Sequence, residues 1–237
     1  MTSREETAPP PAWIAGVIET LPIVFGYLPI GLSYGVLAQK AGLSALNAIA
    51  MSLLVYAGSS QLVATGLFAA GVPAPSIILT TFVVNLRHLL LSAAIAPFLK
   101  RWRNGELAAF AYQLTDETFA LHAARFPSGV PPKAEVFAVN VTAQTAWLIG
   151  TASGVALGQV IADVEPFGLD FVLPALFIAL IVLQIEDRAQ IAVALVTGAL
   201  SVALLLSGVE QWHVILATLV GATLGVIIQL WTSEPSS

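Results

Sequence analysis

Cysteine is absent from the 237 residues. That excludes a disulfide framework, a thiolate metal site and thiol catalysis. Charge is scarce too: 10% of residues are Asp, Glu, Lys or Arg, against about 25% in an ordinary soluble domain. So thin a charged skin excludes a water-soluble enzyme and a disordered chain. The net charge of −5 offers nucleic acid no basic surface. The three histidines show no HExxH spacing, so no metal site is expected. There is no GxxxxGK[ST] loop for a nucleotide, and no cofactor is expected.

What is present is apolar: 57% of the residues, with a mean hydropathy of +0.88. The fold class expected is an all-α polytopic membrane protein. A crossing helix needs about 20 apolar residues at 1.5 Å each. Such runs fall at 14–38, 44–71, 76–99, 136–161, 168–186, 189–207 and 211–231, about seven spans in one membrane domain over 14–231. Residues 1–13 carry one Arg, two Glu and Pro9 to Pro11, and read as a disordered tail rather than a signal peptide. Residues 232–237 form a second polar tail. Residues 105–126 are interrupted by Gln113, Thr115, Asp116, Glu117, His122 and Arg125. They are read as a helix in the interface or against the bundle, with an eighth span as the competing reading.

Seven spans with the N-terminus outside and the C-terminus inside put Lys40, Lys100, Arg101, Arg103, Arg125, Lys133 and Arg188 in the cytoplasm. The acidic loop of Asp163, Glu165 and Asp170 then lies outside. The first and fourth spans share glycines four apart, Gly31 and Gly35 against Gly154 and Gly158. Each is followed by a Gly-Leu pair and an apolar run ending in Gln61 or Gln184. The pattern is open to two readings: two inverted three-helix repeats plus one span, or small residues that let helices pack closely.

Polar groups at membrane depth mark the candidate site. In the second span Tyr56, Ala57, Gly58, Ser59, Ser60 and Gln61 interrupt an apolar run. A break there would expose the positive end of a half-helix to a carboxylate, the serines serving as caps. A mild kink is the alternative. Pro22, Pro29, Gly31 and Gly35 mark a helix break or kink in the first span, where freed carbonyls would need a partner. The third span holds Asn85, Arg87 and His88. An unpaired Arg at that depth costs about 2.5–3.5 kcal/mol or more, so Arg87 needs either Asp116 or Glu117, or a substrate carboxylate. Asp116, Glu117 and His88 are the candidates for ion coupling, although Thr115 with the two acids also reads as a plain helix start. Glu19 reads as reaching water, and Asn140, Thr142, Gln144 and Thr145 as lining a pathway or joining helices.

Pro29-Ile30-Gly31-Leu32-Ser33-Tyr34-Gly35, Gly58-Ser59-Ser60-Gln61, Asn85-Leu86-Arg87-His88, Thr115-Asp116-Glu117, Trp147-Leu148-Ile149-Gly150-Thr151 and Gly168-Leu169-Asp170-Phe171 occur in that order. This ordered set resembles the AzlC-type permeases, the large subunit of bacterial branched-chain amino acid exporters, over about residues 20–185. Leu62 departs from the aromatic expected after the GSSQ string. The resemblance implies no enzyme but a secondary transporter in the bacterial inner membrane, exporting small apolar amino acids with a small AzlD-type membrane partner. Its substrate would meet the broken second span, Asn85 and Arg87. A non-transporting scaffold and a membrane-embedded enzyme using Asp116, Glu117 and His122 are the competing readings.

Overall fold

A computed structural model of the chain describes residues 10–160, 187–209 and 212–232, with isolated positions between 166 and 185. The expected fifth span, the acidic loop of Asp163, Glu165 and Asp170, Gln184, and most of both tails lie outside the described residues. Every long element among the described residues is helical. Three of them are long and apolar enough to cross a membrane: Ala12–Lys40, Ala74–Leu99 and Arg188–Leu206. The chain forms two compact units, Met1–Leu173 and Pro174–Ser237.

The first unit is built on a pair of long helices, α1 (Ala12–Lys40) and α8 (Lys133–Gly158). They run in the same direction and in register. Gly16 lies against Glu135 and Ala138, Gly31 against Gly150, Gly35 against Gly154, and Gly158 against Gln39. A Cβ on Gly31 would sit 2.9 Å from the Trp147 carbonyl oxygen, and one on Gly150 2.7 Å from that of Leu28. At Gly35 and Gly154 it would overlap the carbonyls of Thr151 and Leu32. The four-apart glycines are thus two sides of one contact, as small residues allow between membrane helices. An inverted pairing of the first and fourth spans would set them antiparallel, and they are parallel.

α1 also runs unbroken through Pro22 and Pro29. The expected break in the first span is therefore absent. Each proline removes only one backbone donor, and both face outward from the unit. Gly31 and Gly35 serve packing instead.

The breaks lie elsewhere. The run 44–71 forms two half-length helices, α2 (Ala45–Leu54) and α3 (Gly58–Ala69), rather than one span. α2 starts beside the end of α1, and Ser52 reaches Thr151 of α8 at 2.8 Å. α3 then returns, so that Leu62, Thr65 and Ala69 face Leu37, Lys40 and Ala41. The pair is a hairpin that enters and leaves at the C-terminal end of α1. Tyr56, at its tip, has φ +42°, a left-handed conformation that bulky residues rarely adopt.

α4 (Ala74–Asn85) and α5 (Arg87–Ile95) follow, with a 3-10 turn over Ala96–Leu99. The helix is interrupted only at Leu86. It runs to the other end of the unit, where Phe98 meets Phe126 and Trp102 meets Phe137, with ring centroids 6.1 and 5.4 Å apart.

From that end a second hairpin enters, α6 (Asn104–Tyr112) and α7 (Asp116–Arg125). α6 follows α8 inward, from Glu106 beside Lys133 at 2.6 Å to Gln113 bonded to Gln144 at 2.9 Å. α7 comes back, with His122 on Asn140 at 2.9 Å and Arg125 on Glu135 at 2.7 Å and on Glu19. Residues 105–126 therefore pack against the bundle, the second of the two placements expected, and neither lie along the interface nor form an eighth span. They double back. Leu99, Phe110, Leu114, Phe126 and Val136 form the apolar core around which they turn.

The second unit contributes α9 (Arg188–Leu206) and α10 (His213–Thr232), joined by a turn with Gly208 at φ +90°. Gly221 of α10 packs against the Thr197 side chain. Asp187 caps α9, its Oδ1 accepting from the Gln190 amide at 2.7 Å.

Candidate functional site

The two hairpins enter from opposite ends of the first unit and their tips meet at the interruption between α4 and α5. Arg87 joins them. Its Nη1 lies 2.9 Å from Asp116 Oδ2, at the start of α7. Its Nη2 donates to Ser59 Oγ, at the start of α3, at 2.5 Å. Tyr112 donates to the carbonyl of Leu53, a second link from tip to tip. The partner of Arg87 is thus the internal carboxylate Asp116. Glu117 is engaged separately, accepting from the Tyr27 hydroxyl at 2.6 Å near the midpoint of α1.

The hairpin tips are fixed by local chemistry. Thr115 caps α7, accepting from the Thr118 amide at 3.3 Å, with Asp116 and Glu117 in the positive first turn. α3 has no such cap. Its N-cap is Ala57, and no side chain bonds its first amides. Ser59 is taken by Arg87, and Ser60 donates to the Ala57 carbonyl at 3.0 Å, so the serines do not serve as caps. Gly58 is required by the Trp147 ring, 2.8 Å from where a Cβ would stand.

Gln61 is completely buried with both ends of its amide satisfied inside the protein. It donates to Ser52 at 2.9 Å and accepts from the Trp147 indole at 3.2 Å. Trp147 in turn lies between Tyr27 and Tyr34. Gln61 therefore braces the α2–α3 hairpin on α8 and is not free to face a ligand, as the sequence suggested. Glu19 pairs with Arg125 rather than reaching only for water. Asn140 and Gln144 join helices, whereas Thr145 bonds back to Val141 at 2.7 Å.

A cavity of about 250 Å³ opens where the three interruptions converge, lined by Val55 to Ala57, by Asn85 and His88, and by Ala111, Tyr112 and Leu114. His88 lines it, its ring Nδ1 3.2 Å from the Asn85 carbonyl oxygen. Tyr112 and Tyr27 were not singled out by the sequence, and Tyr56 only as the first residue of the interruption. Aromatic residues in an apolar run carry no mark that sets them apart from core. Among the described residues no group of His, Cys, Asp and Glu could hold a metal ion.

Half-helices that meet at a partly buried ion pair inside an apolar bundle define a polytopic membrane protein with polar groups gathered at depth. The sequence model of the family described as AzlC protein matches residues 22–161, and the chain belongs to that family. It is 28% identical to the inner membrane protein YgaZ of Escherichia coli K12, over 98% of both chains. It is 32% identical to the branched-chain amino acid transport protein AzlC of Bacillus subtilis 168, over 89% of this chain and 82% of the relative. An uncharacterized membrane protein of Archaeoglobus fulgidus is 32% identical over 88% and 92% of the two chains. No solved structure matches.

Proposed function

We propose that this chain is a secondary transporter that exports branched-chain and other small apolar L-amino acids across a bacterial inner membrane, driven by an ion gradient and working with a small AzlD-type membrane subunit. It performs transport, not catalysis. The observation that carries the reading is Arg87, shared between two hairpins that reach it from opposite ends. A site reachable from either side in turn needs an element that both sides touch. The relationship to the Bacillus subtilis protein, with branched-chain amino acid transport in its name, supports the substrate class.

Ion coupling is assigned to the Arg87–Asp116 pair, with Glu117 and His88 beside it. Protonating Asp116 removes the charge that holds Arg87 and loosens one hairpin from the other. Asn85, Arg87 and the start of α3 at Gly58 and Ser59 form the substrate side, with Ser60 holding that turn.

Orientation follows from where the basic residues sit. Lys100, Arg101 and Arg103 lie in the turn between the 3-10 segment and α6, at the end of the unit where α1 and α8 begin. The expected arrangement, with the N-terminus across the membrane from them, does not fit this placement. The positive-inside bias then puts the start of α1 in the cytoplasm and leaves Lys40 as the basic residue outside. Taking the sequence's apolar runs at 168–186, 189–207 and 211–231 as three further crossings puts the C-terminus inside as well.

The test is counterflow of labelled leucine, isoleucine, valine and methionine in liposomes, with and without the co-encoded small membrane protein. Wild-type protein is expected to exchange these amino acids, and Arg87→Ala to lose exchange while still inserting. Unchanged exchange by Arg87→Ala removes the proposed site, and no exchange by wild type under any pairing removes the function.

A further inference from the structure

Two residues that line the central cavity, Tyr56 and Asn85, each bury a polar atom without a hydrogen-bond partner, Tyr56 OH and Asn85 Oδ1, and so does Arg87 at Nε, two residues on from Asn85. Each belongs to one of the interruptions. Tyr56 is 3% exposed, and its hydroxyl, close to the Tyr27 hydroxyl and the Glu117 carboxylate, meets neither in good hydrogen-bond geometry. Native proteins keep few such unsatisfied groups. Holding a tyrosine at φ +42° adds backbone strain. Two such groups lining one cavity and a third beside it, one of them on a strained backbone, call for a ligand that completes them.

The character of the groups says which ligand. The hydroxyl of Tyr56 and the Nε–H of Arg87 are donors, and they stand at the uncapped start of α3, where the first backbone amides also lack partners. Donors at the positive end of a helix suit a carboxylate. Asn85 Oδ1 is an acceptor and suits an ammonium. Both ends of a zwitterion need such partners once water is removed. Val55, Ala57, Ala111 and Leu114 supply an apolar wall. The volume of about 250 Å³ is below the ~300–1,000 Å³ of drug-sized sites, a size for one small metabolite.

We infer that the cavity is the head-group site for an α-amino acid, its carboxylate held by Tyr56 OH, Arg87 Nε–H and the start of α3, and its ammonium by Asn85 Oδ1. This rests on the transport reading and extends it with a role for Tyr56 and separate partners for the two charges. Arg87 keeps its bonds to Asp116 and Ser59 while its third donor takes the substrate, so binding and the hairpin link share one guanidinium.

The experiment pairs variants with substrate analogues. Binding of leucine, leucinamide (no carboxylate) and 4-methylpentanoate (no ammonium) is measured for the full chain. Tyr56→Phe is expected to weaken leucine and 4-methylpentanoate about tenfold or more, the loss of one hydrogen bond to a charged group, and to leave leucinamide unchanged. Asn85→Leu is expected to weaken leucine and leucinamide and to spare 4-methylpentanoate. Ala111→Phe, which fills the cavity from α6, is expected to weaken all three. Equal losses across the three ligands for Tyr56→Phe, or no loss in any variant, overturn the site. Wild-type protein that exchanges leucine while the variants bind as it does leaves transport standing and this site refuted. Wild-type protein that neither binds nor exchanges leucine refutes both.

Discussion

Arg87 is in an unusual position for a membrane arginine, because its partner comes from a different hairpin and not from its own helix. Asp116 and Arg87 are each about a quarter exposed, 28% and 27%, so their attraction is partly screened and the pair is not a dry lock. Truncating either residue leaves the other unpaired. A double-mutant cycle with Arg87→Ala and Asp116→Ala is expected to give a coupling energy of about 0.5–3 kcal/mol in thermal unfolding. Additive losses would mean that the two residues stabilise the protein independently. The requirement that Arg87 have a partner was legible in the sequence, since an arginine in an apolar run needs one. Which partner was not, because the choice between Asp116 and a ligand depends on how residues 104–125 turn back.

At the scale of elements, the α1–α8 seam and the hairpins differ in how they are held. The seam is backbone against backbone at Gly31, Gly35, Gly150 and Gly154. Gly154→Leu is expected to force the helices apart and destabilise the protein by at least about 1–3 kcal/mol, the range for overpacking. It should be seen as a lower melting temperature in detergent. Gly26→Leu, on α1 but away from the seam, with nothing within 4 Å of a Cβ, is the control and should melt like wild type. The glycine spacing was visible in the sequence, and so was the interruption at Gly58. Their partners were not. A four-residue glycine period fits a repeat and a packing seam equally well, and only direction distinguishes them. The hairpins were hidden for a related reason. An apolar run of about 26 residues has the length of a span whether it crosses or folds back. What reverses it here is a left-handed tyrosine, a conformation that no local composition advertises.

At the scale of the whole molecule, the absence of cysteine makes the chain a clean background for single-cysteine labelling. Lys40→Cys and Ala70→Cys flank the first hairpin, and Arg103→Cys and Ser128→Cys flank the second. Each pair is expected to react with a membrane-impermeant thiol reagent from one side, the two pairs from opposite sides. Lys40→Cys and Ala70→Cys reacting from opposite sides would mean that 44–71 crosses. The first unit therefore has two kinds of part: long helices that traverse it, and half-length pairs that meet inside.

The glycine seam bears on how such a molecule can move. Backbones in direct contact leave no side chain to act as a lever between α1 and α8, so the two behave as a single stave. Spin labels side by side at the C-terminal end of that stave, on Lys40 and Gln159, should report one unchanging separation across the transport cycle, while a label near Ser59 shifts against both.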